Sequence, residues 1–143
     1  MAQPNIVDVK KIYGQSLGMA LTTTTNEATP ADFAFTVKTG VVLKINNIIC
    51  SNIHTSNAGT LDIFIEQNNI DTSAGNEAPF TQNKTIPATP IYIVEGVSVA
   101  TGSSLVVLDH PLYLMELTKF KAKADAVTTL HLTISYEVIN TFT

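Results

Sequence analysis

The feature that most constrains this chain is a nine-residue alternation at residues 130–138. The even positions carry apolar or aromatic side chains: Leu130, Leu132, Ile134, Tyr136 and Val138. The odd positions carry polar ones: His131, Thr133, Ser135 and Glu137. A period of two is the pattern of a β-strand that buries one face and leaves the other in water. Residues 130–138 therefore predict a strand of a half-buried sheet.

The composition extends that prediction to the whole chain. The 143 residues include 14 Ile, 12 Val and 20 Thr, whose branched Cβ atoms suit a pleated sheet better than a helix. Apolar runs of strand length recur between turn residues, and no segment has the pattern of a long amphipathic helix. We expect an all-β fold, an antiparallel β-sandwich of jelly-roll or immunoglobulin-like type with about 8–9 strands.

A chain of this length is expected to form one domain. Residues 14–143 are the predicted sandwich, and residues 1–13 are predicted to be a first strand or an extended N-terminal arm. Gly14 and Gly18 predict a turn after that arm. Residues 67–90 contain three prolines and almost no periodicity, so they predict a long loop of the kind that is usually functional.

The apolar run at residues 41–53 changes phase in its middle. Leu43 and Ile45 share odd parity, whereas Ile48 and Cys50 share even parity. A strand cannot move its buried side chains to the other face without an extra residue. We therefore predict a β-bulge at Asn46-Asn47, the alternative being a strand buried on both faces there.

The charged residues argue against nucleic-acid binding. The net charge is −4, and all eight basic residues are lysine. Arginine, which makes forked contacts to phosphates and base edges, is absent. Tryptophan is absent as well. Protein partners are therefore expected to be bound through aliphatic area, tyrosine, phenylalanine and strand pairing.

The sequence also argues against contact with a membrane. No apolar run approaches the length of a membrane-spanning segment, and the N-terminal residues lack the apolar core of an export signal. We expect a protein that is made and used in the cytoplasm, or in a particle assembled there.

The three histidines do not have the spacing of a metal site. His54, His110 and His131 each lie in or beside a turn, or on the wet face of a strand. Zinc and iron sites need clustered His, Cys or carboxylate ligands. The chain also lacks a glycine loop of the kind that cradles phosphates. No metal and no cofactor is expected.

Two features resemble catalytic groups superficially. Asp109-His110 follows Ser103-Ser104 closely, but a triad needs side chains that converge in space, and adjacent residues in a turn do not provide that. Cys50 is the only cysteine and lies inside an apolar run, so we interpret it as a small buried core residue. The expected protein is not an enzyme.

The one directed charge feature is a lysine stripe formed by Lys119, Lys121 and Lys123, which alternate with small or aromatic residues. Lysine on an edge strand discourages unwanted extension of a sheet, and this is the favoured interpretation. The alternative is that the stripe docks onto an acidic protein surface.

Two further segments are candidate partner-binding surfaces. The N-terminal arm carries Ile6, Val7, Val9 and Ile12 around a few charges, as a strand offered to a neighbour would. The predicted loop at residues 67–90 carries three isolated apolar residues: Ile70, Phe80 and Ile86.

In the order of its sequence segments, the chain resembles a family of small β-sandwich virion structural proteins of tailed phages, in particular marine and cyanobacterial phages. Four segments carry the resemblance: MAQPNIVDVKKIYGQSLGMALTTT, GVVLKINNIICSNIHTSNAGTLDIFI, SLVVLDHPLYLMELTKFKAKA and LHLTISYEVI. The resemblance implies a non-enzymatic component of the virion that is present in many copies.

Within that family we favour a capsid decoration or cement protein, which binds the assembled head and stabilises it. The partners expected from the resemblance are the major capsid protein or other virion proteins, together with further copies of the chain in a homo-oligomer, with a trimer favoured. A neck, collar or tail protein is the alternative within the same class. A carbohydrate-binding host-attachment module is the alternative from another class, with Tyr92 and Tyr113 as its candidate aromatic contacts.

Overall fold

The computed structural model describes residues 11–21, 33–66, 90–125 and 129–140. These residues form nine β-strands. In chain order the strands are β1 (Lys11–Leu21), β2 (Phe33–Thr36), β3 (Val41–Asn52), β4 (Gly59–Glu66), β5 (Ile91–Val99), β6 (Ser104–Leu108), β7 (Leu112–Leu114), β8 (Lys119–Ala124) and β9 (Leu130–Asn140).

The strands form two antiparallel sheets that pack face to face. One sheet has the order β1-β9-β3-β6, with β7 also paired to β3, and the other has the order β2-β8-β4-β5. The pairs are nested along the chain: β1 with β9, β2 with β8, β3 with β6 and β7, and β4 with β5. This nesting is that of a ribbon of paired strands rolled into a sandwich, so the fold is a jelly roll and not immunoglobulin-like.

The alternation that predicted β9 is confirmed. Leu130, Leu132 and Ile134 are buried between the sheets, while Thr133 is exposed. Burying a leucine or isoleucine side chain stabilises the fold by about 1.5–3 kcal/mol. The core draws on both sheets: Leu21, Leu43, Ile45, Ile48, Cys50, Leu114, Leu130, Leu132 and Ile134 from the first, and Leu61, Ile63, Ile65, Val99, Phe120, Ala122 and Ala124 from the second.

The predicted β-bulge is confirmed as well. The register of β3 against β9 shifts between Ile45 and Asn47, so Asn46 has no partner residue in the ladder. Because of this extra residue, Ile45 and Ile48 both face the core. The bulged Asn46 donates a hydrogen bond from its amide nitrogen to Glu137 Oε1, 3.3 Å away.

A second bulge lies at Glu95-Gly96 in β5. Strand β5 is continuous, but Leu61 pairs with Val97 and Ile63 with Val94, so Glu95 and Gly96 together oppose one residue of β4. Gly96 has a φ of 63°, which glycine tolerates best.

The turn predicted from Gly14 and Gly18 is wrong. Strand β1 runs without a break from Lys11 to Leu21 and pairs with β9 along its whole length. The strand thus crosses the boundary predicted between residues 13 and 14. A Cβ added at Gly14 would make only ordinary contacts at 3.9 Å, and one added at Gly18 would meet nothing within 4 Å. Neither glycine has a positive φ, so both simply adopt the extended conformation of the ladder.

The favoured interpretation of the lysine stripe is also wrong. Strand β8, which carries Lys119, Lys121 and Lys123, lies between β2 and β4 in the interior of its sheet. It therefore does not protect an edge. The prediction failed because alternation along a strand shows which face is wet but not where the strand lies in the sheet.

The bulge gives a test of the fold by deletion. Removing Asn46 leaves residues 45, 47 and 48 as an ordinary strand with Ile48 and Cys50 still facing the core, so we expect a loss of about 1 kcal/mol for the hydrogen bond to Glu137. Removing Ile49 instead forces Ile48 or Cys50 to the wrong face and should cost roughly 2–5 kcal/mol. Urea unfolding of both variants measures the difference, and equal losses would contradict the bulge.

Candidate interaction surface

The inner face of β1 is covered unevenly along its eleven residues. The core-facing side chains of β1 become more exposed toward its start. Leu21 is fully buried and Met19 half-buried, but Leu17 and Tyr13 are each 37% exposed. Part of an inner sheet face is therefore left uncovered among the described residues.

The uncovered part forms an open apolar groove of about 510 Å³. Its walls include Tyr13, Leu17, Phe35, Val41, Tyr136 and Val138. The Tyr136 hydroxyl at the groove donates a hydrogen bond to Gln15 Oε1, 2.7 Å away. Lys38 and Asn140 add polar groups to the lining. A groove with this lining fits apolar or aromatic side chains of a partner and does not concentrate charge.

A buried carboxylate holds one wall of the groove. Lys38 lies in the turn between β2 and β3, and Gly40 of the same turn donates its backbone N–H to Glu116 Oε2, 2.6 Å away. Backbone hydrogen bonds of Val37 with Leu117 and Thr118, of 2.8 and 3.0 Å, join this turn to the turn before β8. Glu116 is buried, and these hydrogen bonds hold the β2–β3 turn in place as one wall of the groove.

Several predicted contact segments meet at the end of the sandwich that carries the groove. We call this the open end and define it by Lys11, Asn140, the β2–β3 turn, Glu66 and Ile91. Lys11 pairs with Asn140, and Asn140 with Val41. Glu66 pairs with Lys119, which also pairs with Thr36. The predicted arm and both ends of the predicted loop therefore join the described residues at one end.

Strand β1 is an edge strand without the usual protection. No described strand pairs with its outer edge. Ile12 is 59% exposed on the outer sheet face, in a cross-strand row with Ile139 and Val42, while Tyr13 is exposed on the groove face. Lys11 is the only charged residue of the strand, and its Nζ lies 5.3 Å from the Tyr13 ring centroid. A long, apolar and nearly uncharged edge is a template for pairing with another chain.

The other edge strands are shorter or more irregular. Strand β2 has four residues and β6 has five. Strand β5 has nine residues but two register shifts against β4, which interrupt the regular edge that another strand would need. Strand β1 is thus the longest regular edge among the described residues.

The charge of the lysine stripe is largely balanced within its own sheet. Lys121 Nζ lies 2.6 Å from Glu66 Oε1, and Lys123 Nζ lies 3.3 Å from Asp62 Oδ2. The four side chains are only 17–25% exposed. Docking of the stripe onto an acidic surface stays a prediction, and these pairs leave Lys119 as its least neutralised member among the described residues.

The side chains that resemble a catalytic set do not converge. Asp109 and His110 are hydrogen-bonded to each other and exposed. Ser104 bonds the hydroxyl of Ser51 at 2.7 Å, and Ser103 donates to the carbonyl of Ala100 at 2.6 Å. Strand β6 separates these serines from Asp109 by roughly 15 Å at the usual rise per residue, which is beyond hydrogen-bond reach.

Cys50 is buried in the core, as predicted. Burial raises the pKa of its thiol from 9.0 to about 11, and the thiol, unlike the thiolate, is a poor nucleophile. Among the described residues no group of three His, Cys, Asp or Glu side chains could hold a metal ion.

The outer sheet face near the bulge carries a second balanced pair. Lys44 Nζ lies 3.2 Å from Glu137 Oε2, and Asn46 donates to the other oxygen. These two hydrogen bonds lower the pKa of Glu137. The carboxylate therefore stays ionised and paired, and it is not a proton donor for chemistry at neutral pH.

The two tyrosines proposed for sugar binding do not form one platform. Tyr92 lies on the outer face of the β2-β8-β4-β5 sheet, tilted against Phe64 with ring centroids 5.2 Å apart. Tyr113 pairs with Lys44 on the outer face of the other sheet. A sugar ring therefore cannot contact both side chains at once.

The structure describes four of the ten predicted contact residues: Ile12, Lys119, Lys121 and Lys123. The other six lie outside the described residues: Ile6, Val7, Val9, Ile70, Phe80 and Ile86. Within the described ranges no helix is long and apolar enough to cross a membrane.

Sequence reasoning missed Tyr13, Gln15 and Leu17. The signal was present, because large side chains at the odd positions of residues 13–21 alternate with Gly, Ser or Ala at the even positions. Reading Gly14 and Gly18 as a turn concealed that period.

No protein-family model matches the chain, and no curated protein sequence matches it. Among solved structures, the VP2 subviral particle of infectious bursal disease virus is similar over 93% of this chain and 34% of that chain, with 9% identity and a TM-score of 0.48. A viral particle of the same virus is similar over 91% and 35%, with 8% identity and a TM-score of 0.41.

This chain thus spans about a third of the length of the capsid chains that it resembles. The TM-scores lie below 0.5, so the assignment of the jelly roll rests on the strand order of this chain and not on these similarities. Jelly rolls occur in viral capsids, in lectin domains and in cupins, and the fold alone does not select among these functions.

Because Cys50 is buried, the free energy of unfolding should depend on pH in the alkaline range. Because the folded-state pKa is raised, the folded protein keeps the thiol proton between pH 9 and about pH 11, where the unfolded chain loses it. This contribution is complete below pH 9 and is lost as the pH rises toward 11. The free energy of unfolding should therefore fall more steeply over this window in the native protein than in Cys50→Ala, and parallel curves would contradict a buried thiol.

Proposed function

We propose that this protein is a capsid decoration or cement protein of a tailed phage, a non-enzymatic virion component that binds the assembled head in many copies. The observation that carries the proposal is the open end, where an unprotected edge strand borders an apolar groove. Its partner would be the major capsid protein or another virion protein.

The distribution of side chains supports a protein that works by contact. Of the eight exposed large apolar side chains among the described residues, four lie at the open end, where Ile12, Tyr13, Ile91 and Tyr92 are in the first three rows of their strands. Three lysines are paired with acidic residues of their own sheets: Lys44 with Glu137, Lys121 with Glu66 and Lys123 with Asp62. The resemblance of the sequence to small virion sandwich proteins points to the same class.

Stabilisation of the head would follow from mass action. A protein that binds only the assembled shell shifts the equilibrium toward that shell. The groove would accept apolar side chains of the partner, at about 25 cal/mol per Å² of apolar surface buried.

The predicted contact residues outside the described ranges fit this arrangement by position. Residues 1–10 precede Lys11 in the chain, and residues 67–89 connect Glu66 to Pro90, so both segments join the described residues at the open end. These segments carry the six predicted contact residues Ile6, Val7, Val9, Ile70, Phe80 and Ile86. We propose that they extend the same contact surface.

The test is binding of the purified protein to phage heads that lack it. We expect cosedimentation with saturation at many copies per head, and a higher temperature of head disruption. Leu17→Lys places a charge at the groove and should weaken binding by about tenfold or more. Val106→Lys is the matched control, because Val106 is also an exposed apolar residue but lies on β6, and it should bind as the native protein does.

Three results would contradict the proposal. Absence of binding to heads would exclude the cement role. Binding confined to one ring of copies at a neck or tail would replace it with the neck, collar or tail role. Equal loss in Leu17→Lys and Val106→Lys, with both proteins folded, would place the contact surface away from the open end.

A further inference from the structure

The free edge of β1 is complementary to itself. From Ile12 to Gly18 the strand reads Ile-Tyr-Gly-Gln-Ser-Leu-Gly. Counted outward from Gln15, the small Gly14 mirrors the small Ser16, Tyr13 mirrors Leu17, and Ile12 mirrors Gly18. We propose that a second copy of this chain pairs antiparallel with β1 about a twofold axis at Gln15, so that two sandwiches share one continuous sheet.

The outer sheet face gives the first argument for this register. A twofold axis at Gln15 sets Ile12 opposite Gly18 of the second copy, on the same face of the joined sheet. Ile12 is the most exposed large apolar side chain among the described residues, and the space above Gly18 is open to beyond 4 Å from an added Cβ. Each isoleucine would therefore lie across the glycine of the other copy.

The groove face gives the second argument. The same axis sets Tyr13 opposite Leu17 of the second copy, and Leu17 opposite its Tyr13. Both side chains are exposed to the same extent in the single chain and line the rim of the groove. Aromatic and aliphatic side chains directly opposite each other stabilise an antiparallel pair by roughly 0.2–1 kcal/mol.

The axis itself has matching polar groups. Gln15 Oε1 accepts a hydrogen bond from Tyr136, and its amide nitrogen makes no hydrogen bond with the described residues. With Gln15 opposite its own copy, each amide N–H can donate to the other Oε1, which has a second lone pair. The two glutamines then satisfy each other.

Neighbouring registers lose these matches. An axis at Ser16 sets Ile12 opposite Ala20 and Tyr13 opposite Met19. Gly18 is then opposite Gly14, so no side chain of the opposite residue fills the space above Gly18. An axis at Gly14 sets Ile12 opposite Ser16 and Tyr13 opposite Gln15. Of these three axes, only the one at Gln15 sets all three exposed apolar residues of β1, Ile12, Tyr13 and Leu17, opposite complementary positions.

The interface is isologous and covers the longest regular edge that the described strands leave unpaired. It predicts a dimer of the isolated protein in place of the trimer expected from the sequence. It deepens the proposed function by naming the contact between copies, but its test uses the protein alone, so its failure can be told apart from failure to bind phage heads.

Cysteine cross-linking tests the register directly. Residues on the axis have Cβ atoms close enough for a disulfide, so Gln15→Cys should form a covalent dimer under mild oxidation. Ser16→Cys should not, because each new thiol opposes Gly14 and lies diagonally from its own copy. A mixture of Gly14→Cys and Ser16→Cys should form the mixed dimer. Cys50 is buried and does not compete.

A substitution at Gly18 tests the interface without a cross-link. Gly18→Val adds side-chain atoms where a single chain has open space, so the fold is kept, but it fills the position that Ile12 of the second copy would occupy. We expect the dissociation constant of the dimer, measured by analytical ultracentrifugation, to rise by about tenfold or more. Ala20→Val, on the same face but beyond the paired residues 11–19, is the control and should leave the dimer unchanged.

The proposal is overturned by a native protein that sediments as a monomer or a trimer at all concentrations. It is equally overturned if Ser16→Cys cross-links more efficiently than Gln15→Cys, or if Gly18→Val and Ala20→Val weaken the dimer to the same extent.

Discussion

The ladder between β1 and β9 is the interaction on which the open end depends. Strand β9 is fixed by its buried leucines and by pairing with β3 on its other side. Strand β1 is ordered by its eleven-residue pairing with β9, and its core-facing side chains become more exposed from Leu21 toward Tyr13. The ladder therefore positions both the outer edge of β1 and the side chains that β1 contributes to the groove.

Electrostatics contributes little to the character of this surface. Lys121 and Lys123 of β8 are paired with acidic residues of β4, and Lys44 is paired with Glu137. Hydroxyl groups meet across strands elsewhere, as Ser16 and Ser135 do at 3.3 Å. Recognition by such a protein must come from shape, apolar area and backbone hydrogen bonds, which is what the open end offers.

Much of the fold could be predicted from the sequence because the strands and their buried faces follow from local periodicity. The alternation at residues 130–138 predicts the inner face of β9, and the change of phase between Ile45 and Ile48 predicts the bulge. Both follow from the fixed period of a strand. The choice between a jelly roll and an immunoglobulin-like sandwich could not be made, since strand order depends on pairing between distant segments.

The same limit explains the two errors. Glycine is common in turns, but Gly14 and Gly18 are held in an extended conformation by a partner strand more than a hundred residues away. Lysines alternate along edge strands and interior strands alike, and the acidic residues that balance Lys121 and Lys123 lie on β4. The candidate surface was missed for this reason, although the alternation of β1 was visible.

Amide hydrogen exchange as a function of protein concentration tests most directly whether the edge of β1 is the contact surface. Alternate N–H groups of an edge strand point away from the sheet and exchange rapidly unless another chain pairs with them. If a second copy pairs with β1, protection of residues 11–19 rises with protein concentration while that of β6, another edge strand, stays constant. Unchanged exchange in β1, or a rise confined to β6, would contradict this pairing.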